Sequence, residues 1–280
     1  MATIIPPAAA EPLFEIASIP VTNAMVNSWI AVVFFVVIAL LISKRKAAVP
    51  KGLQNIAEAI VEFMLAEIQK VTGDKKRAIM FLPIVGTIFL FVLFSNWLGL
   101  IPGTGSIGIW GIHEGHTALI PLLRPAASDL NLTIAIAIFA VLSSHFFGLR
   151  ALGFMNHFSK FVNIRGIFRS LKKGPVAILV AVIEFGVGII EIVSEIAKVL
   201  SLSLRLFGNI FAGEVLITVM LGLFAYILPI PFMFFEILIG VVQATVFTML
   251  TLAYLTVATD EHGHGDEEEP HEEKIQEAHA

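Results

Sequence analysis

The chain has 280 residues, of which 57% are hydrophobic and only 14% charged, with a mean hydropathy of +0.90. These values exclude a water-soluble globular domain and lead us to expect a polytopic membrane protein. The absence of cysteine rules out disulfides, thiolate metal sites and cysteine nucleophiles, and the net charge of -4 divides into an acidic stretch after Asp260 and two basic loops, neither of which resembles a nucleic-acid footprint.

Residues 1–24 hold Glu11, Glu15 and several prolines, without a basic start or an apolar core. They read as an extracytoplasmic N-terminal segment and not as a signal peptide. Residues 25–43 carry no charge and are long enough to cross about 30 Å of hydrocarbon. Lys44, Arg45, Lys46 and Lys51 follow at once, which by the positive-inside rule sets this end in the cytoplasm and the N-terminus outside.

In residues 51–72 the pattern changes, with Leu53, Ile56, Ile60, Met64, Ile68 and Val71 on one helical stripe and Gln54, Glu58, Glu62 and Gln69 on the other. This predicts an amphipathic helix on the cytoplasmic membrane surface, the alternative being a soluble helix packed on a partner. Residues 79–149 hold two further crossings around an outer loop at 102–128. Ser95 and Asn96 are the strongly polar members near the far end of the first, and Arg124 is the only cation of the Gly- and Pro-rich loop. His113, Glu114 and His116 in that loop are too few to predict a metal site, and simple solvation is the expectation. Asp129 has two readings, a helix cap or a carboxylate at the mouth of an aqueous path. Residues 150–173 form a second basic loop, so that 14 of the 18 lysines and arginines fall within 44–77 and 150–173, consistent with one orientation throughout.

The segment from Gly174-Pro175 has no further proline until Pro229 and Pro231. As one helix of roughly 50 residues it would reach about 75 Å and lie strongly tilted; as two crossings broken near Ser201 it would put the C-terminus on the other side. Composition leaves both open. Glu184, Glu191, Lys198 and Arg205 are spaced by seven, each about 20° from the last around a helix, so they form one polar stripe. Glu195 can join it from i-3 of Lys198, while Ser194, Ser201 and Gly208 form an adjacent line of small residues open to close helix approach. Glu214 points about 180° away from Arg205, which predicts two separate polar environments instead of one ion pair. The last apolar run, from Phe232 to Val257, carries Glu236 and Gln243 on one face; folded back through Pro229 and Pro231 it can bring Glu236 near Glu214 if the two helices are offset. Residues 259–280 read as an acidic, disordered cytoplasmic tail. A charge such as Arg205 at membrane depth costs at least about 2.5 kcal/mol, so a function is its default explanation.

Ser-Leu-Ser-Leu-Arg-Leu-Phe-Gly-Asn at 201–209, with Ala-Gly-Glu at 212–214, resembles the signature of subunit a of the F-type ATP synthase. Ser-Asn-Trp-Leu-Gly-Leu-Ile-Pro-Gly at 95–103 and the Gln243 helix follow in the family's order. The resemblance implies an all-α polytopic membrane protein of about five membrane-embedded helices plus one amphipathic surface helix, in which residues 174–258 form a long tilted helical hairpin facing a c-ring. It implies two aqueous half-channels separated by Arg205, which would meet the carboxylate of each passing c subunit. Glu214 and Glu236 would line the half-channel from outside, with Asp129 near its mouth, Gln243 and Asn209 beside the arginine, and Glu191, Glu195, Lys198 and Ser201 toward the cytoplasmic exit. In the family one of the Glu214 and Glu236 positions is often histidine; here two carboxylates would share a proton.

The implied partners are the c-ring, peripheral-stalk b-type subunits, the remaining ATP synthase subunits and membrane lipid, with no nucleic acid, cofactor or metal. Such a chain is no enzyme on its own, and the implied place is a bacterial plasma membrane, with the C-terminus cytoplasmic. A secondary transporter would show inverted repeats and broken helices, which the sequence lacks. A purely structural anchor leaves the ionisable residues between Glu191 and Glu236 unexplained.

Overall fold

The computed structural model describes residues 7, 9–16, 19–44, 50–101, 107–113, 116–154, 175–223 and 227–260. The second basic loop beyond residue 154, the acidic tail beyond Asp260, Glu114 and the side chain of Glu184 lie outside the described residues. Six α-helices account for most of the described chain: α1 (Asn23–Lys44), α2 (Leu53–Thr72), α3 (Lys75–Gly99), α4 (Leu130–Leu152), α5 (Pro175–Leu223) and α6 (Pro229–Thr259). All but α2 contain stretches long and apolar enough to cross a membrane, so the chain is an all-α polytopic membrane protein.

Two antiparallel hairpins, which hydropathy does not foresee, sit at one end of the bundle. β1 (Pro12–Ile16) pairs with β2 (Ile19–Thr22) just before α1, and β3 (Gly108–His113) pairs with β4 (His116–Pro121) between α3 and α4. The β3–β4 register sets His113 opposite His116. This hairpin end holds the start of α1, the end of α3 and the starts of α4 and α6; α2 marks the opposite end.

The α2–α3 corner is built from local signals. Gly73 ends α2 in the left-handed region, φ 69°, and its N–H returns to the Gln69 carbonyl, a conformation that favours glycine. Asp74 then caps α3, its carboxylate accepting from the Lys76 and Arg77 amides at 3.0 and 3.4 Å. Of the apolar stripe on α2, only Met64 and Ile68 are buried, Ile68 in a cluster with Ala78, Phe81 and Val85 of α3 and Leu252 and Leu255 of α6. Leu53, Ile56, Ile60 and Val71 of the same stripe remain exposed.

The 49-residue α5 is a single helix, which decides between the two readings that composition leaves open. At 1.5 Å per residue it is about 74 Å long, more than twice the roughly 30 Å of a bilayer's hydrocarbon. The main core forms where α3, α4, α5 and α6 meet, with Ile88, Val92, Ala137, Ala140, Leu206 and Phe247 among its buried members. Its alanines let the helix backbones approach closely, as apolar packing in lipid requires. α1 stands at the edge: Asn23, Asn27 and Ser28 are buried at the hairpin end, while Val32, Val33, Val36 and Leu40 are exposed on a face suited to hydrocarbon.

Candidate functional site

Polar residues on α5 fall into three groups along its length. Toward the hairpin end, Glu214 receives the Nε of Arg124 on both carboxylate oxygens, at 2.8 and 3.0 Å. Arg124 is 2% exposed, and its terminal nitrogens donate to the main-chain carbonyls of Pro7 at 2.8 Å and Ala9 at 3.2 Å. Its own carbonyl accepts from Asn27 Nδ2, which also reaches the Ser95 carbonyl at 3.1 Å. A charge-assisted pair of this kind holds its geometry because both terminal nitrogens of the guanidinium donate to backbone carbonyls.

Glu236 of α6, 3% exposed, lies beside this pair. Its carboxyl group sits against Gly213, where a methyl group added to the glycine would occupy the same space. The missing side chain at Gly213 therefore sets where Glu236 rests, and it leaves Glu214 and Glu236 near enough for their charges to interact. Among the described residues, Glu236 Oε1, Ser95 Oγ and both amide atoms of Asn96 are buried without a hydrogen-bond partner. Orphaned polar atoms are rare in dry protein interiors, and their concentration at one end of a bundle calls for an explanation.

In the middle of α5 the helix has two unlike faces. Leu202, Ser203, Leu206 and Ile210 are buried inward, whereas Ser201, Leu204, Arg205, Gly208 and Ala212 are exposed. Arg205 makes no ion pair with any described residue. Asn209 Nδ2 donates to Gln243 Oε1 at 2.6 Å, which joins α5 to α6 about one helical turn from Arg205. Gln243 is itself buried, and its Nε2 lacks a partner among the described residues.

Toward the α2 end, Glu195 binds Lys198 Nζ at 2.7 Å one turn along α5 and faces His145 Nε2 of α4 at 3.3 Å. Lys198 also lies 5.4 Å from the centre of the Tyr254 ring of α6, close enough for a cation–π contact. Glu191 is half-buried on the same helix. Asp129, 5% exposed, caps α4 by accepting from the Asn131 amide at 3.0 Å, which realises the first of its two readings and keeps it at the hairpin end.

The structure thus brings together Glu214 with Glu236, Asn209 with Gln243, and Glu195 with Lys198, and among the described residues none of the acidic side chains forms an ion pair with Arg205. Sequence reasoning missed Arg124, Asn27, Asn96, His145 and Tyr254 as members of these groups. For Arg124 a signal existed: it is the single cation between residues 78 and 149. Asn96 also stood out, as a strongly polar residue near the far end of an apolar run; for Asn27, His145 and Tyr254 there was no signal, since a lone polar or aromatic residue in an apolar run carries no partner information. Among the described residues no three His, Asp or Glu side chains converge as metal ligands would.

The family model described as ATP synthase A chain matches residues 25–256. Among curated proteins, the chain is 31% identical over 252 residues to the ATP synthase subunit a of Moorella thermoacetica, covering 90% of this chain and 96% of that one. It is 33% identical over 240 residues to the ATP synthase subunit a of Gloeobacter violaceus, covering 86% and 85%. With the same subunit of Campylobacter jejuni strain RM1221 it shares 36% identity over 230 residues, covering 82% and 87%. A family model that matches most of the chain, together with relatives at 31–36% identity covered over more than four-fifths of their length, shows that the chain belongs to the ATP synthase subunit a family.

Proposed function

We propose that this chain is the proton-translocating stator subunit of an ATP synthase membrane sector, in which two half-channels deliver protons to and from the carboxylates of a c-ring and Arg205 stands between them. The observation that carries the reading is the split of α5 at its centre. Arg205 is exposed among Ser201, Gly208 and Ala212, a face of small residues on which another helix can come close. The polar groups toward the hairpin end and those toward the α2 end lie along the same helix on either side of Arg205.

The chemistry suits arginine. Its pKa above 12 keeps it charged, so it cannot relay a proton along the seal, yet it favours the ionised form of a carboxylate passing in front of it. Lysine deprotonates when buried and would leak. Each proton that slipped past would dissipate roughly 2.3 kcal/mol per 100 mV of membrane potential. Glu214 and Glu236 line the outer half-channel with Asp129 near its mouth, Asn209 and Gln243 stand beside Arg205, and Glu191, Glu195, Lys198 and Ser201 line the inner half-channel. The buried orphan atoms of Asn96, Gln243 and Glu236 support this assignment, because polar atoms of that kind are satisfied by water in an aqueous path. The remaining partners are the b-type stalk subunits, the other synthase subunits and lipid, in a bacterial plasma membrane with the hairpin end outside.

The test is ATP-driven acidification of inverted vesicles carrying the assembled complex with Arg205→Ala. Pumping is expected to be lost while the complex still purifies intact. Pumping near the wild-type rate would overturn the role given to Arg205.

A further inference from the structure

The half-channel reading leaves open how its two outer carboxyl groups divide the work, and the inference drawn here rests on that reading. Among the described residues, Glu214 has a cation partner and Glu236 has none. The guanidinium of Arg124 is held on one side by the carbonyls of Pro7 and Ala9 and on the other by Glu214, with the Phe211 ring 6.0 Å away. Anchored on backbone, it cannot swing after a second carboxylate. Glu236, packed on Gly213, has one oxygen with no hydrogen-bond partner among the described residues.

The charged groups that face this pair are Glu11 from the N-terminal segment, Arg124 from the loop before α4, Glu214 from α5 and Glu236 from α6. The nearby side chains of α1 and α3, Asn27, Ser95 and Asn96, are neutral. One guanidinium balances one carboxylate. Glu11 is only partly buried; of the two buried carboxylates, Glu236 has no counter-charge among the described residues, so the neutral form of Arg124, Glu214 and Glu236 needs one proton.

We propose that Arg124 is a positioning residue that keeps Glu214 as a fixed carboxylate, so that Glu236 alone carries the transferable proton of the outer half-channel. The proton arrives on a Glu236 oxygen and leaves from it toward Gln243 and the rotor face; Glu214 keeps its charge throughout and helps to draw the proton in.

A fixed ion pair can be replaced by a neutral pair, and a proton carrier cannot. ATP-driven pumping in inverted vesicles, normalised to assembled complex, is therefore compared for Arg124→Gln, Glu214→Gln, the double variant and Glu236→Gln. Each single neutralisation of the pair is expected to cut pumping roughly tenfold or more, because it strands a buried charge, whereas the double variant recovers to within about twofold of wild type. Glu236→Gln is expected to assemble and not to pump. An assembled double variant that stays inactive, or a Glu236→Gln variant that pumps, overturns the assignment. Since a variant can fail to assemble, the wild-type complex is also treated with an apolar carbodiimide, which reacts with protonated carboxyl groups. Adducts mapped by mass spectrometry are expected on Glu236 and not on Glu214, and the reverse pattern overturns the proposal. Arg205→Ala in the same assay separates the two levels: if it pumps, the half-channel reading itself falls, and if it does not while the double variant is inactive, only the division of labour falls.

Discussion

Gly213 shows how much one absent side chain decides. Its neighbour Glu214 faces Arg124, and the space where its own Cβ would be is filled by the Glu236 carboxyl group. Gly213→Ala is expected to push Glu236 from its place or force α6 outward, at a cost of about 1–3 kcal/mol typical of overpacking. The check is pumping together with the melting temperature of the purified complex; both should fall, and adding Glu236→Asp, which shortens the acid, should restore the melting temperature more than the pumping. The Glu214–Glu236 neighbourhood was legible in outline from the sequence, since helix phase puts Glu214 away from Arg205 and the proline turn folds Glu236 back. Arg124 was not, because it lies 90 residues from Glu214 and no local period links a loop cation to a helix acid.

At the scale of elements, α2 is an amphipathic helix of which only the second half touches the bundle. Ile68, fully packed between α3 and α6, should matter more than Ile56, which is exposed on the same stripe. Ile68→Ala is expected to cost about 2–4 kcal/mol, as for other buried truncations. Ile56→Ala should stay within about 0.5 kcal/mol, as substitutions outside the packed interior do. Thermal unfolding of the purified complex measures both, and equal losses would mean that the exposed half of α2 is held by a neighbour. The stripe itself follows from the 3.6-residue period, and the point where it stops touching the bundle does not. That point depends on where the Gly73–Asp74 corner aims the helix.

At the scale of the whole molecule, the five long apolar helices and the two basic segments define a sidedness, with the β-hairpins at one end and α2 at the other. The chain contains no cysteine, so single introduced cysteines report sidedness without background. In inverted vesicles an impermeant maleimide is expected to label Lys70→Cys on α2 and to leave Ile107→Cys beside β3 unlabelled until the membrane is permeabilised. The opposite pattern would reverse the orientation and exchange the two half-channels.

The sequence by itself determined what local signals can carry: membrane residence from hydropathy, the seven-residue stripe through Glu191, Lys198 and Arg205, and family membership from the run around Arg205. Each of these depends on residues a few turns apart along one chain direction. Only the tertiary structure decided that α5 is unbroken over 49 residues, that Glu195 meets His145 on α4, and that Arg124 closes on Glu214 with the N-terminal backbone behind it. Those outcomes depend on helix offset and crossing, which are set by how alanines and glycines on four helices let the backbones approach. Such contacts are properties of the packed bundle, and no single stretch of the chain contains them.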